Sequence, residues 1–335
     1  MSYTPYEPSS ESAAPFAPPP AIESRVGRDP SLPIEIGLVN NMPDAALRAT
    51  ERQIRSLLER SCGDLRFNLR VYVLPEVPRS PMGQELARGY RDIAELWDTP
   101  LDGIIVTGTE PRTEDLRAEP YWYNLTRLME WADEHTASSI WSCLAAHAAL
   151  LHMDGVERRR LSDKRFGVFD CTRETDHFLT AGLPMHVSMP HSRWNELPVD
   201  DLIKAGYSVL TRSDEAGADA FIKQRRSLFV FFQGHPEYDA DTLLLEYRRD
   251  IGRYLRGERE TYPTAPRGGF DRAVLQQLQT LRLLAARHRD EATITAFPLA
   301  LATSRAEHHW RDTATMLYRN WLQYLAVHSL RACAA

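Results

Sequence analysis

The chain has 335 residues, 43% of them hydrophobic, enough for one large or two modest domains with a core of their own. A net charge of −6 and a pI near 6.0 give no basic field for nucleic acid, and no apolar run reaches the length of a membrane span. Cys62, Cys143, Cys171 and Cys333 are widely spaced and form no CxxC pair, which argues against a disulfide framework or zinc ribbon and fits a reducing cytoplasm.

The opening "MSYTPYEPSSESAAPFAPPP" lacks the basic and apolar regions of a secretory signal. Rich in Pro, Ser and Ala, residues 1–32 are expected to form a disordered or loosely packed tail. "PIEIGLVNNMPD" reads as a strand followed by a turn at Asn40–Asp44, and "AALRATERQIRSLLER" sets Leu47, Ile54, Leu57 and Leu58 on one helical face. "FNLRVYVLP" is a second strand, and "DGIIVTGTE" an apolar strand ending in a loop at Gly108. "YWYNLTRLMEWADEH" is a helix, "ASSIWSCLAAHAALLHMDG" a strand, sharp turn and helix, and "SLFVFFQGHPEYD" a buried strand that delivers His235 and Glu237. Strands alternating with helices predict an α/β domain over residues 33–258, built on a mostly parallel sheet flanked by helices, with ligands at the carboxyl ends of its strands. Residues 259–335 read as a helical segment packed on that domain. There, Val274, Leu275, Leu278, Leu281 and Leu284 mark one amphipathic helix. Trp310, Ala314, Leu317, Trp321 and Leu325 mark another, serving as core or as a subunit contact.

Cys143 stands where a strand turns into a helix, and helix amides there favour a thiolate. Taken alone, such a cysteine is more often a small buried hydrophobe. His235 and Glu237, two apart on an extended segment, point to one side, so the carboxylate holds one ring nitrogen and leaves the other outward. Together the three residues spell nucleophile, base and orienter. "VERRRLSDKR" gathers Arg158, Arg159, Arg160, Lys164 and Arg165, a phosphate or carboxylate patch or, as for most such runs, a solvated face. His147 and His152 are badly spaced for joint metal ligation, and HExxH, Walker A and GxGxxG patterns are absent. Neither a metal nor a dinucleotide cofactor is expected.

With Cys143, "GHPEYDA" and "HSRWNELP" in place, the chain resembles the homoserine O-acyltransferases of the MetA type, which have a flavodoxin-like, class I glutamine-amidotransferase-like fold. The likeness runs from about residue 34 to 258 through "NNMPD", "DGIIVTG", "YWYNLTRLMEWADEH" and "LSDKRFGVFD", and returns in "WRDTATMLYRNWLQYL". The resemblance implies that Cys143 is the acyl-accepting nucleophile, His235 the general base and Glu237 its partner. It implies further that Lys164 lines the acyl site, Ser192 the substrate site, that Arg249 binds the amino-acid carboxylate, and that the Leu144 amide is an oxyanion donor. Acyl-CoA would be a co-substrate, the assembly a homodimer in the cytoplasm, and the pathway methionine biosynthesis. The chain departs from the family at "GTEPR": the position four after the glycine, Gly in succinyl users and Glu in acetyl users, falls on Arg112, suited to a succinyl carboxylate. A second departure is the extra helical segment around residues 270–300. The expected reaction is ping-pong transfer of succinyl from succinyl-CoA to L-homoserine through Cys143. The alternatives are an acetyl donor, a serine acceptor, a glutamine amidotransferase-like hydrolase (although "WSCLA" lacks the G-x-C-x-G elbow), and a non-catalytic binding protein of the same fold.

Overall fold

A computed structural model describes residues 32–328 apart from Gly269. The tail expected over residues 1–32 thus lies outside the described residues but for Leu32, as do the last seven residues of the chain. In chain order the elements are β1 (Ile34–Val39), α1 (Asp44–Ser61), β2 (Phe67–Val73), α2 (Pro81–Ala87), β3 (Arg91–Asp92), β4 (Gly103–Val106), α3 (Trp122–His135), β5 (Ser138–Ser142) and α4 (Leu144–Asp154). There follow β6 (Arg159–Arg173), β7 (His186–Glu196), α5 (Val199–Lys204), β8 (Ser208–Ser213), β9 (Gly217–Gln224), β10 (Leu228–Phe232), α6 (Thr242–Leu255), α7 (Arg272–Arg287), α8 (Leu299–Ser304) and α9 (Arg311–His328).

The strands form a ten-stranded sheet in the order β3-β2-β1-β4-β5-β10-β9-β8-β6-β7. From β3 to β10 every pairing is parallel, the part that strand–helix alternation predicts. From β10 to β7 every pairing is antiparallel. That half is hidden in the sequence because antiparallel neighbours need no helix between them. Its longest strand, β6, opens with largely solvent-facing residues from Arg159 to Lys164, so it reads as a solvated basic run.

The central parallel strands β4, β5 and β10 serve two cores at once. Ile104, Val106, Trp141, Phe229 and Phe231 face α3 and α4, packing on Leu128, Leu144 and Ala148. Their neighbours Ile105, Ile140, Val230 and Phe232 face Leu57 of α1 and Leu317, Trp321 and Leu325 of α9. Helix α9 therefore belongs to the core, each of those side chains contributing about 1.5–3 kcal/mol by burial, and Trp321 Nε1 donates to Ser138 Oγ of β5 at 3.0 Å. A third cluster joins α6 to α7 and α8 through Tyr247, Ile251, Leu278, Leu281 and Phe297. On α7 the apolar stripe is narrower than the sequence suggests, since Leu275 and Leu284 are exposed and Ala285 is buried in their place. Among the described residues no helix is long and apolar enough to cross a membrane.

The strand order reverses between β1 and β4, and such a switch point opens a crevice at the carboxyl ends of the strands. The loops after β1, β4, β5 and β10 all meet there, lining one cavity of about 560 Å³.

Candidate active site

Cys143 occupies the single residue between β5 and α4, with φ 51° and ψ −110°. It is the only non-glycine residue with positive φ among the described residues, a conformation that costs an L-residue roughly 1–2 kcal/mol. The surroundings enforce it. Cys143 N–H donates to the β10 carbonyl of Phe232 at 2.7 Å, and its own carbonyl accepts from His147 N at 3.2 Å in the first turn of α4. Leu144 N–H, the first amide of that helix, has no intrahelical partner by construction. The loop after β4 closes on it at Gly108, where a Cβ would stand 2.9 Å from Leu144 N. Glycine is needed there for closeness alone.

His235 and Glu237 meet as expected but by another geometry. Residues 235–238 form a turn, with Tyr238 N–H donating to His235 O at 3.2 Å, so the pair does not lie on an extended segment. Pro236 at the second position suits such a turn. His235 Nδ1 lies 2.9 Å from Glu237 Oε1, its amide donates to Pro190 O at 2.8 Å, and its ring stacks on Tyr238. Nε2 is buried, with no hydrogen-bond partner among the described residues. Burial disfavours a charged ring, but the Glu237 charge and the Cys143 side chain outweigh it and hold the imidazole well above its ordinary 6.5.

The opposite wall is charged. Lys164 Nζ lies 3.4 Å from Glu246 Oε2 and 3.1 Å from Asp250 Oδ2. Ser192 Oγ donates to Glu246 Oε2, and Tyr238 OH to Glu246 Oε1 at 2.5 Å. Arg249 donates twice to Asp250 Oδ1, at 3.2 and 3.0 Å. Burial would raise the Glu246 carboxyl; the Lys164 and Arg249 charges hold it below its ordinary range. Cys143, Leu144, Lys164, Ser192, His235, Glu237 and Arg249 thus line one cavity, together with Glu246. Glu246, the hub of this wall, has a sequence signal only in the i, i+3, i+4 spacing of Glu246, Arg249 and Asp250 on α6.

A family model described as homoserine O-succinyltransferase matches residues 22–331. The homoserine O-succinyltransferase of Rhodopseudomonas palustris is 52% identical over 295 residues, 88% of each chain. That of Bradyrhizobium japonicum is 46% identical over 310 residues, 92% of this chain and 94% of its own. The chain belongs to the homoserine O-succinyltransferase family. Among solved structures, a glutamine amidotransferase from Methylobacillus flagellatus matches 90% of this chain and 98% of its own with a TM-score of 0.52. At 15% identity that likeness shows the fold alone.

In this homoserine O-succinyltransferase family member two further arginines reach the cavity, Arg193 and Arg158. Arg193 is buried, bonded to Asn195 O at 2.8 Å and to Ala216 O; burial lowers it to about 10 against the Cys143 charge, leaving it cationic at neutral pH. Arg158 also lines the cavity, where burial lowers it from its ordinary value. Arg112 does not join them. It is exposed and absent from the lining, while its amide donates to Glu119 Oε1 at 2.6 Å. The loop that carries it turns away to cap on Glu119, which alignment by offset from Gly108 does not foresee.

His147, a turn below Cys143, is a further lining residue. Gln233 Oε1 accepts from Leu197 N at 2.8 Å while its Nε2 donates to Ala218 O at 2.8 Å, so the amide orientation is fixed. His147 Nε2, 3.4 Å from that oxygen, must be the donor, leaving Nδ1 as a bare acceptor. Burial, aided by Arg193 and Arg158, lowers this ring to about 3, so it is neutral during catalysis. As for metals, Cys171, His191 and Asp219 bring donor atoms within 4.8 Å of one another. They lie fully buried beneath Gly234, where a Cβ would collide with Asp219 and Met189. Asp219 Oδ2 there accepts from Thr211 Oγ1 at 2.8 Å, and burial with the Asp219 charge pushes the Cys171 thiol up, toward its protonated form. The group reads as support for the strand end that carries His235.

Proposed function

We propose that the chain moves a succinyl group from succinyl-CoA to the hydroxyl of L-homoserine through a thioester on Cys143. The observation that carries this reading is a thiol on a strained strand-to-helix elbow beside a buried imidazole oriented by Glu237. A protonated His235 favours negative charge on the neighbouring sulfur. Cys143 Sγ attacks the thioester carbonyl, and the charge developing on oxygen meets the Leu144 amide, a type of contact worth about 3 kcal/mol per donor. The intermediate collapses, the bond to the CoA sulfur breaks, and His235 gives that sulfur its proton. One thioester has replaced another, so little acyl-transfer energy is lost. The now neutral His235 takes the homoserine hydroxyl proton as that oxygen attacks the acyl-enzyme. The second intermediate releases the ester and returns the Cys143 sulfur beside a protonated His235. Two half-reactions through a covalent intermediate give ping-pong kinetics.

Arg249 suits the amino-acid carboxylate because its side chain stays 43% exposed while Asp250 holds it from one edge. Anionic Glu246 suits the ammonium group, and Ser192 and Lys164 surround it. Intact-mass spectrometry of the protein with succinyl-CoA, acceptor omitted, tests the reading. A succinyl adduct that is absent from Cys143→Ala and is discharged by homoserine is the expected result. An adduct only from acetyl-CoA would change the donor, and one that persists with homoserine would change the acceptor, serine being next to try. No adduct from either donor overturns the reading.

A further inference from the structure

The cavity's cations are unequal. Lys164 and Arg249 answer to Glu246 and Asp250. Arg253 grips Glu110 through two N–H groups at 3.2 and 3.0 Å. Arg193 spends its donors on Asn195 O, Ala216 O and His191 Nδ1. Arg160 is exposed and lies over the Trp194 ring. Arg259 is half-buried and has no buried N–H left unpartnered. Arg158 differs from all of them. Its Nη2 donates to Glu114 O at 2.8 Å and Thr113 O at 3.3 Å, which fixes the plane of the guanidinium. Its Nη1, on the other edge, is buried with no hydrogen-bond partner. Glu119 acts on it from beyond ion-pair distance; among the described residues no carboxylate pairs with it directly, and no other arginine lining the cavity has a buried, unpartnered N–H.

A buried cationic N–H with nothing to bond is costly, and it is satisfied when an anionic oxygen arrives. The loop that aims Arg158 is itself held from behind. Glu119 Oε1 accepts from the amides of Arg112 and Thr113 and from the Thr113 hydroxyl, so the carbonyls that grip Nη2 are anchored. Resting on the succinyl-transfer reading above, we propose that Arg158 binds the distal carboxylate of the acyl group through Nη1 and so sets the preference for a dicarboxylic donor. A succinyl group on Cys143 ends in a carboxylate, which makes a charge-assisted hydrogen bond with Nη1. A butyryl group of the same carbon count ends in a methyl, which leaves Nη1 unsatisfied, the situation in which a site rejects an analogue most strongly. The sequence placed this role on Arg112; the structure moves it one loop along, to a residue that the sequence showed only as part of a basic run.

The test is single-turnover acylation of Cys143, followed by intact mass, with succinyl-CoA and butyryl-CoA side by side. In Arg158→Gln the succinyl rate is expected to fall on the order of 10²-fold, with the butyryl rate within about threefold of wild type. Arg158→Lys, which keeps the charge but not the fork, should recover part of the succinyl rate, and Arg112→Gln should change neither. Equal losses for both donors in Arg158→Gln would mean a merely structural role and overturn the proposal, as would no loss with succinyl-CoA. Wild-type protein that takes no succinyl group at all would overturn the transfer reading, and this proposal with it.

Discussion

The two halves of the sheet hold their functional groups in different ways. In the parallel half the residues proposed to react are placed by backbone: Cys143 by its positive φ and the bond to Phe232 O, and His235 by the turn at Pro236 and its bond to Pro190 O, with Glu237 orienting its ring. On the antiparallel side, Lys164 of β6 and Ser192 of β7 are set by charge, through Glu246 and Asp250 of α6. Backbone placement fixes a reacting atom tightly and tolerates little change in the residue. Charge placement is looser, and it lets one carboxylate serve several substrate-facing groups. On the proposed mechanism, chemistry sits where the main chain is constrained, and recognition sits where side chains are networked.

Substitutions can break this contrast at either end. Cys143→Ala should remove turnover by on the order of 10⁴-fold or more with unfolding midpoints close to wild type, measured by steady-state acyl transfer and urea melts. Glu237→Gln should lower kcat by roughly 10³-fold, since the ring loses both its orienter and its counter-charge. The same change carries a pH signature. His235 is held above its ordinary 6.5 in the fold, so its contribution to stability is fully present below about pH 6.5 and is lost as pH rises through the folded value. The variant lacks most of that contribution, and the stability gap from wild type should be widest in acid and narrow upward, as urea titrations across neutral pH will read.

In the networked half, Lys164→Met should cost about 3 kcal/mol of stability, because Glu246 and Asp250 are left with Arg249 as their one cation among the described residues. KM for the acceptor should rise more than kcat falls, the reverse of the Glu237 variant. The smallest effect returns to the backbone side. Gly108→Ala pushes a methyl against Leu144 N and should slow acylation roughly tenfold with little change in folding, checked by the same single-turnover assay. If Gly108→Ala were silent, the claim that the elbow amide is placed by close approach would fall.

Much of the parallel half was legible because its code is local. A short apolar strand, a cysteine and "LAAHAAL" read as strand, elbow and helix, and "FVFFQGHPE" as a strand that unloads its polar residues at one end. The turn that brings His235 to Glu237 was misread as extended backbone, because the pair satisfies either geometry. Glu246 and Arg193 were missed for a different reason. Their partners come from β6, β7 and α6, far apart in sequence, and nothing local distinguishes a hub carboxylate from a surface one. Arg112 was misplaced because counting from Gly108 assumes a loop path, and Glu119 bends that path elsewhere.

The twisted backbone at Cys143 has one more consequence, for anyone who selects this protein for robustness. Glycine is the residue that relieves that conformation, so Cys143→Gly should melt higher than Cys143→Ala although both are inert. A screen that rewards only heat survival, with no demand for turnover, will favour losing the proposed nucleophile. Residue 143 is then a position where the fold gains from a mutation that the proposed chemistry cannot accept, and any thermostabilised library of this chain should be sequenced there before its hits are believed.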